Sequence, residues 1–202
     1  MVAPLWCETM SAAAAALLAD LRAYRPFDER ERRHVERTIE LLIATPRPLD
    51  RTNPAGGHVT ASAVVWSREH DAILTVYHRK LDAWFQPGGH VEPDVDASVA
   101  AAALRELLEE THLTLDDVKL VENRPFDVDV HPIPAWKRQP AHDHHDIRYL
   151  FFLASPLCPP PRDDVRWMHP ADLPADAGGS MHRIAEKLRR RRKHLAPTAP
   201  QS

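Results

Sequence analysis

From His58 onward the apolar positions come in strand-like runs. Val59 to Trp66 and Ala72 to His78 are rich in β-branched and aromatic residues. The polar stretch Arg68-Glu69-His70-Asp71 separates them, which predicts a hairpin. Ala83 to Gln86 predicts a short strand running into Pro87-Gly88-Gly89. Phe126, Val128 and Val130 alternate with Asp127, Asp129 and His131, and Ile147, Tyr149, Phe151 and Leu153 alternate further on. A period of two predicts half-buried strands in both places. Val165 to Met168 is a candidate last strand. Helical spacing occurs in four other segments. Leu17, Leu21 and Tyr24 follow an alanine run, and Asp28 is placed to cap a helix whose Val35, Ile39, Leu42 and Ile43 share a face. Asp96 to Thr111, rich in alanine and leucine and free of glycine and proline, predicts a third helix, and His182 to Arg192 a closing one.

This order divides the chain into an N-terminal helical extension (1–55), an α/β domain (56–196) and a tail (197–202) expected to be disordered. Pro46, Pro48, Asn53, Pro54, Gly56 and Gly57 make the connecting loop. The extension is expected to be a packing appendage or the basis of a homodimer. A long loop, Pro132 to Asp146, holds Trp136 and several histidines between two core strands. Loops of that length are often functional.

Charge narrows the partners. With 26 basic and 29 acidic residues the net charge is −3, so no global field draws in nucleic acid or an anionic membrane. Arg189 to Lys193, at the end of the closing helix, suits a solvated tail that offsets the helix dipole better than an RNA site. No apolar run is long enough to span a bilayer. The alanine run after Met10 lacks the basic flank of a signal peptide, and Met10 is an alternative start. Cys7 and Cys158 are far apart and form no disulfide framework, so a cytoplasmic location is expected.

The chemistry concentrates on the third helix. Arg105, Glu106, Glu109 and Glu110 fall within one and a half turns, with Glu106 and Glu110 stacked and Glu109 beside them. Leu104, Leu107 and Leu108 point the other way, towards a sheet. Three carboxylates near a helix C-terminus repel one another and oppose the dipole, which makes a purely solvated face less attractive and leaves a cation among them as an equal reading. A hard divalent ion with oxygen ligands, such as Mg2+, fits this donor set and can orient a diphosphate and acidify a water.

Gly88 to Leu113 resembles the Nudix box, Gly-x5-Glu-x7-Arg-Glu-U-x-Glu-Glu-x-Gly-U, where U is a bulky aliphatic residue. Arg105 to Leu113 matches every defined position except the last glycine, where His112 stands. Phe85 to Pro93 also looks like the family's glycine loop, and the likeness runs more loosely from His58 to Trp167. The box places thirteen residues between its glycine and arginine, whereas His90 to Leu104 is fifteen, so its first glutamate has no equivalent. Asp94 and Asp96 are close enough to stand in.

The resemblance implies an α/β/α sandwich with a mixed sheet, here with the helical extension. It implies a hydrolase using Mg2+, with Mn2+ as substitute, on a nucleoside diphosphate linked to another group. Glu106, Glu109, Glu110 and the Gly88 carbonyl correspond to the metal contacts, and Arg105 to the residue that orients the cluster. A nucleotide-binding sensor or interaction module without turnover is the alternative, kept open by the missing glutamate.

The histidine loop admits several readings. Asp146 is a candidate base or further ligand, Arg148 and Arg79 are candidate phosphate contacts, and His90 is a candidate substrate contact. Trp136 is placed to stack on a base. His131, His142 and His144 alternatively offer a separate zinc or nickel site, and an ordinary surface loop is the third reading.

Overall fold

The structure, a computed structural model, describes residues 10–53, 56–135, 137, 139–154, 163–173 and 180–194. Two helices open the chain. Ser11 caps α1 (Ala12–Ala23) by accepting from the Ala14 N–H at 3.2 Å, and Asp28 caps α2 (Glu29–Ala44) through Glu31 N–H at 2.7 Å. Then come β1 (Gly57–Ser67), β2 (Ala72–His78), β3 (Ala83–Phe85), β4 (Gly88–His90), α3 (Val99–Thr111), β5 (Val118–Leu120), β6 (Asp127–Ile133), β7 (His142–Leu153), β8 (Val165–Met168) and α4 (Ser180–His194).

The eight strands form one mixed sheet. Its path is β3-β2-β1-β7-β5, with β4 also on β1, β6 on β7 and β8 on β2. The central pair, β1 and β7, runs parallel from Gly57 opposite Asp143 to Trp66 opposite Phe152, and the other pairs are antiparallel. Every residue of β1 is buried, as expected for a strand covered on both faces. Alternation sorts its side chains. Val59, Ala61, Ala63 and Val65 join Ile147, Tyr149 and Phe151 of β7 in a core shared with α1, α2 and α3. Val64 and Trp66 join Leu150 in a second core under Met181, Ile184 and Leu188 of α4. Helices therefore flank both faces in an α/β/α sandwich with the expected mixed sheet. Among the described residues no helix is long and apolar enough to cross a membrane.

The N-terminal helices belong to this core. Buried Glu31 accepts from the Tyr24 hydroxyl at 2.6 Å and the Val128 N–H at 3.1 Å, and pairs with Lys187 of α4. Asp127, fully buried on β6, pairs with Arg183 at 2.8 Å, Lys187 at 2.7 Å and Arg148 at 3.1 Å. Burial pushes the Asp127 carboxyl up, but Lys187 and the two guanidiniums outweigh it and hold the group below its ordinary range. Each buried charge here has partners, as a low-dielectric site requires.

Four boundaries differ from those the sequence predicts. Helix α3 begins at Val99, not Asp96, because Ser98 caps it through the Ala101 N–H at 3.1 Å. Strand β7 begins at His142 and β6 continues to Ile133, so both strands extend into the predicted loop from Pro132 to Asp146. Helix α4 starts at Ser180, ahead of His182. The segment Pro156 to Pro161, both cysteines and the tail 197–202 lie outside the described residues.

Candidate active site

Strand β4 brings the glycine pair against both β1 and α3. Gly88 lies opposite Ser62 and Gly89 opposite Ala61. A Cβ at Gly88 would run into the Ser62 hydroxyl, and one at Gly89 would meet the Glu106 carboxylate at 2.5 Å. Glycine is required at both positions because a carboxylate and a strand approach the same backbone. The Gly88 N–H donates to Glu110 at 3.0 Å, so loop and helix are joined directly.

Arg105 organises the acids. It forms a two-pronged pair with Asp96, Nε to Oδ1 at 3.0 Å and Nη2 to Oδ2 at 2.9 Å, and donates to Glu106 at 2.9 Å, Glu109 at 3.4 Å and the His90 carbonyl at 2.9 Å. Asp96 thus supplies the anionic partner for which the lengthened box has no glutamate, whereas Asp94 is exposed. The two extra residues are absorbed by the turn from Glu92, whose carbonyl accepts from Val95 and Asp96. His112 ends α3 at φ 60°, ψ 18°, the left-handed conformation expected where the box has glycine.

Burial raises the carboxyl pKa values of Glu106 and Glu110. Arg105 opposes the shift at Glu106 and the Gly88 N–H opposes it at Glu110, while Glu109 adds to it at both. Glu109 itself is exposed. Acids that repel one another, Glu106 half-buried and Glu109 and Glu110 exposed, beside a cradle a single Cβ would fill, suit a hard divalent cation. The three glutamates line one face, but among the described residues they do not converge within 4.8 Å as a ready ligand set.

The other residues singled out from the sequence scatter. Asp146 is buried on β7, accepting from Ser62 at 2.7 Å, Thr60 at 3.3 Å, Gln86 at 3.2 Å and Arg148 at 2.8 Å. It braces the strands beneath the glycine loop. Arg148 does not present a phosphate grip as expected: it is 3% exposed, and its guanidinium is taken by Asp146, Asp127 and the Ser180 hydroxyl. Two buried aspartates upstream on β6 claimed it. Arg79 is exposed in the turn after β2. Trp136 lies outside the described residues. Ser62, Thr60 and Gln86 were not anticipated, since isolated hydroxyls and amides carry no sequence signature.

A histidine cluster occupies the face of the sheet opposite the α3 core. His58 of β1 lies 5.1 Å from the His90 ring, 5.1 Å from His142 and 4.7 Å from His144, centroid to centroid. The set expected from sequence, His131 with His142 and His144, is corrected in membership. His131 sits at the edge, 5.7 Å from His144 and 3.3 Å from the Asp129 carboxylate, while His58 and His90 occupy the centre. Burial, then the neighbouring rings and Arg51, push His58 and His90 down to about 4, and His144 falls to about 2 through burial and its neighbours. His58, His90 and His144 are therefore neutral near pH 7.

Residues 56–188 match the NUDIX domain family, and this span exceeds half of the 202 residues. The chain belongs to that family. Solved structures similar to it include the C. elegans Ap4A hydrolase, 20% identical over 68% of this chain and 98% of that one, with a TM-score of 0.47. The NUDIX domain of Shewanella oneidensis NrtR, complexed with ADP ribose, is 20% identical over 66% of this chain and 86% of that one, with a TM-score of 0.44. A Nudix hydrolase from M. smegmatis, RenU, is 18% identical over 70% and 89%, with a TM-score of 0.48. Among curated proteins none matches.

Proposed function

We propose that the protein hydrolyses a diphosphate bond in a nucleoside diphosphate linked to another group, using Mg2+ or, in its place, Mn2+. The observation that carries this reading is the glycine loop seated on the acidic helix: Gly88 N–H donates to Glu110, Glu106 lies against Gly89, and Arg105 ties Glu106 to Glu109. Glu106, Glu109 and Glu110, with the Gly88 carbonyl, would hold the ion. A divalent ion bound there neutralises phosphate charge and makes a water more acidic.

The chain's own residues do the positioning. Arg105, anchored on Asp96, fixes Glu106 and restrains Glu109 from one side. The Gly88 N–H fixes Glu110 from the other. Asp146, with its hydrogen bonds already committed, serves as a brace for Ser62 and Gln86 rather than as a base. Exposed Glu109 is the carboxylate with most freedom to turn towards ion and substrate.

Glu109→Gln and Glu110→Gln should each cut Mg2+-dependent release of a phosphorylated product by at least about 100-fold. The substrate panel is nucleoside triphosphates, nucleotide sugars, dinucleoside polyphosphates, ADP-ribose and coenzyme A. Activity kept in both variants, or without any divalent ion, overturns the proposal. Calorimetric nucleotide binding with no turnover across the panel would instead identify a sensor.

A further inference from the structure

The histidine cluster is not part of the carboxylate site. Side chains alternate along β4, so Gly89 faces Glu106 on α3 while His90, opposite Thr60, lies on the other face. His58, His90 and His144 come from three strands, β1, β4 and β7, which meet at this end of the sheet. One ligand atom from each lies within 4.8 Å of the others. Zinc–nitrogen bonds of about 2.0–2.1 Å in a tetrahedral site set ligand atoms about 3.3–3.4 Å apart, so the rings would draw together by up to roughly 1.5 Å around an ion.

Among the described residues, two nitrogens in the cluster have no partner. His58 is 1% exposed and its Nε2 accepts or donates no hydrogen bond. His142 Nε2 is likewise buried and unpartnered, while its Nδ1 lies 2.9 Å from the Pro140 carbonyl. That contact fixes the tautomer with the proton on Nδ1 and leaves the Nε2 lone pair bare, the usual second contact of a metal-bound histidine. Rings gathered only for packing would not leave buried nitrogens unsatisfied, because such groups are costly and rare. Imidazole donors without a carboxylate suit a borderline transition-metal ion and not magnesium.

We propose that His58, His90 and His144, with His142 closing the fourth position, bind one transition-metal ion of the zinc class. Bound there, the ion ties the glycine-loop strand β4 to the parallel centre of the sheet. The site is structural, and it stands whether or not the carboxylate helix proves to be a hydrolase.

The test uses the full chain, stripped with a chelator and titrated with Zn2+ in millimolar Mg2+, so that the carboxylates are already supplied. Calorimetry should show one Zn2+ per chain, and Co2+ in its place should give the intense visible absorption of tetrahedral cobalt. Zinc at about one hundred times Kd should raise Tm by roughly 5–10 °C. His90→Asn and His144→Asn, at half-buried positions, should each weaken binding at least about 100-fold while keeping the circular dichroism of the parent. Glu110→Gln and His131→Asn should leave it unchanged. Absence of stoichiometric binding in the parent overturns the proposal. So does zinc binding that survives in the His90→Asn/His144→Asn double variant, or that is lost in Glu110→Gln. Zinc binding in a protein with no Mg2+-dependent turnover would instead count against the proposed function alone.

Discussion

Replacing Asp96 with alanine tests whether Arg105 is held from behind. The Asp96 side chain is 3% exposed and that of Arg105 18%, so their two-pronged contact is largely shielded from water. Removing one partner of a shielded pair costs about 3–5 kcal/mol. Arg105 keeps Glu106, Glu109 and the His90 carbonyl and has some access to water, which discounts the figure to about 2–3 kcal/mol. The Glu92 N–H also loses its 2.8 Å acceptor on Asp96, which adds to the cost. Freed on one side, the guanidinium no longer fixes Glu106, and loss of a residue that orients a metal ligand typically costs about 10–100-fold in activity. Urea unfolding measures the first effect and Mg2+-dependent turnover the second. Asp94→Ala is the control, since exposed Asp94 should change stability by less than about 0.5 kcal/mol. If Asp96→Ala matches the parent within twofold in turnover and within about 0.5 kcal/mol in stability, Asp96 does not replace the missing glutamate.

Acid should unfold the metal-stripped protein in two stages, read as Tm against pH. His58, His90 and His145 sit near 4 in the fold, so from about pH 6.5 down to 4 the unfolded chain takes up protons that the fold refuses, and stability falls. Asp127 and Asp129 are held below the ordinary carboxylate range. Their contribution is present above about pH 4 and is lost as pH drops further. A Tm that stays level from pH 7 to 3 would contradict both stages. His112→Gly relieves a side chain at φ 60° and should stabilise the fold by about 0.5–1 kcal/mol in urea unfolding with turnover unchanged; a loss of stability would show that the ring makes a contact worth more than the strain.

Local chemistry was legible in the sequence, and long-range pairing was not. Arg105, Glu106, Glu109 and Glu110 are near neighbours on one helix, so spacing alone placed them on one face. The His112 cap followed from the same local logic. Strand β4 escaped notice because two of its three residues are glycines, which leave no alternation to read. The first half of β7 reads as loop in the sequence because His142 to Asp146 are polar at every position. Alternation exists there, but it sorts ring clusters and ion pairs, with His142, His144 and Asp146 on one face and His145 reaching Thr38 of α2 at 3.0 Å on the other. Arg148 reads as a ligand contact in the sequence since nothing local shows that Asp127, 21 positions earlier, lies beside it. His58 and His90 escaped for the same reason: their meeting depends on β4 pairing with β1.

The buried ionic cluster also dictates an order of assembly. Glu31 and the Lys187 that neutralises it are separated by 156 positions, and Asp127 draws two of its three cations from α4. Until α4 has been made, docking α2 on the sheet would bury carboxylates without most of their counter-charges, a heavily penalised state. Helix α2 should therefore seat stably only together with α4. Refolding should be slow for the size of the fold, as contacts between such distant segments dictate.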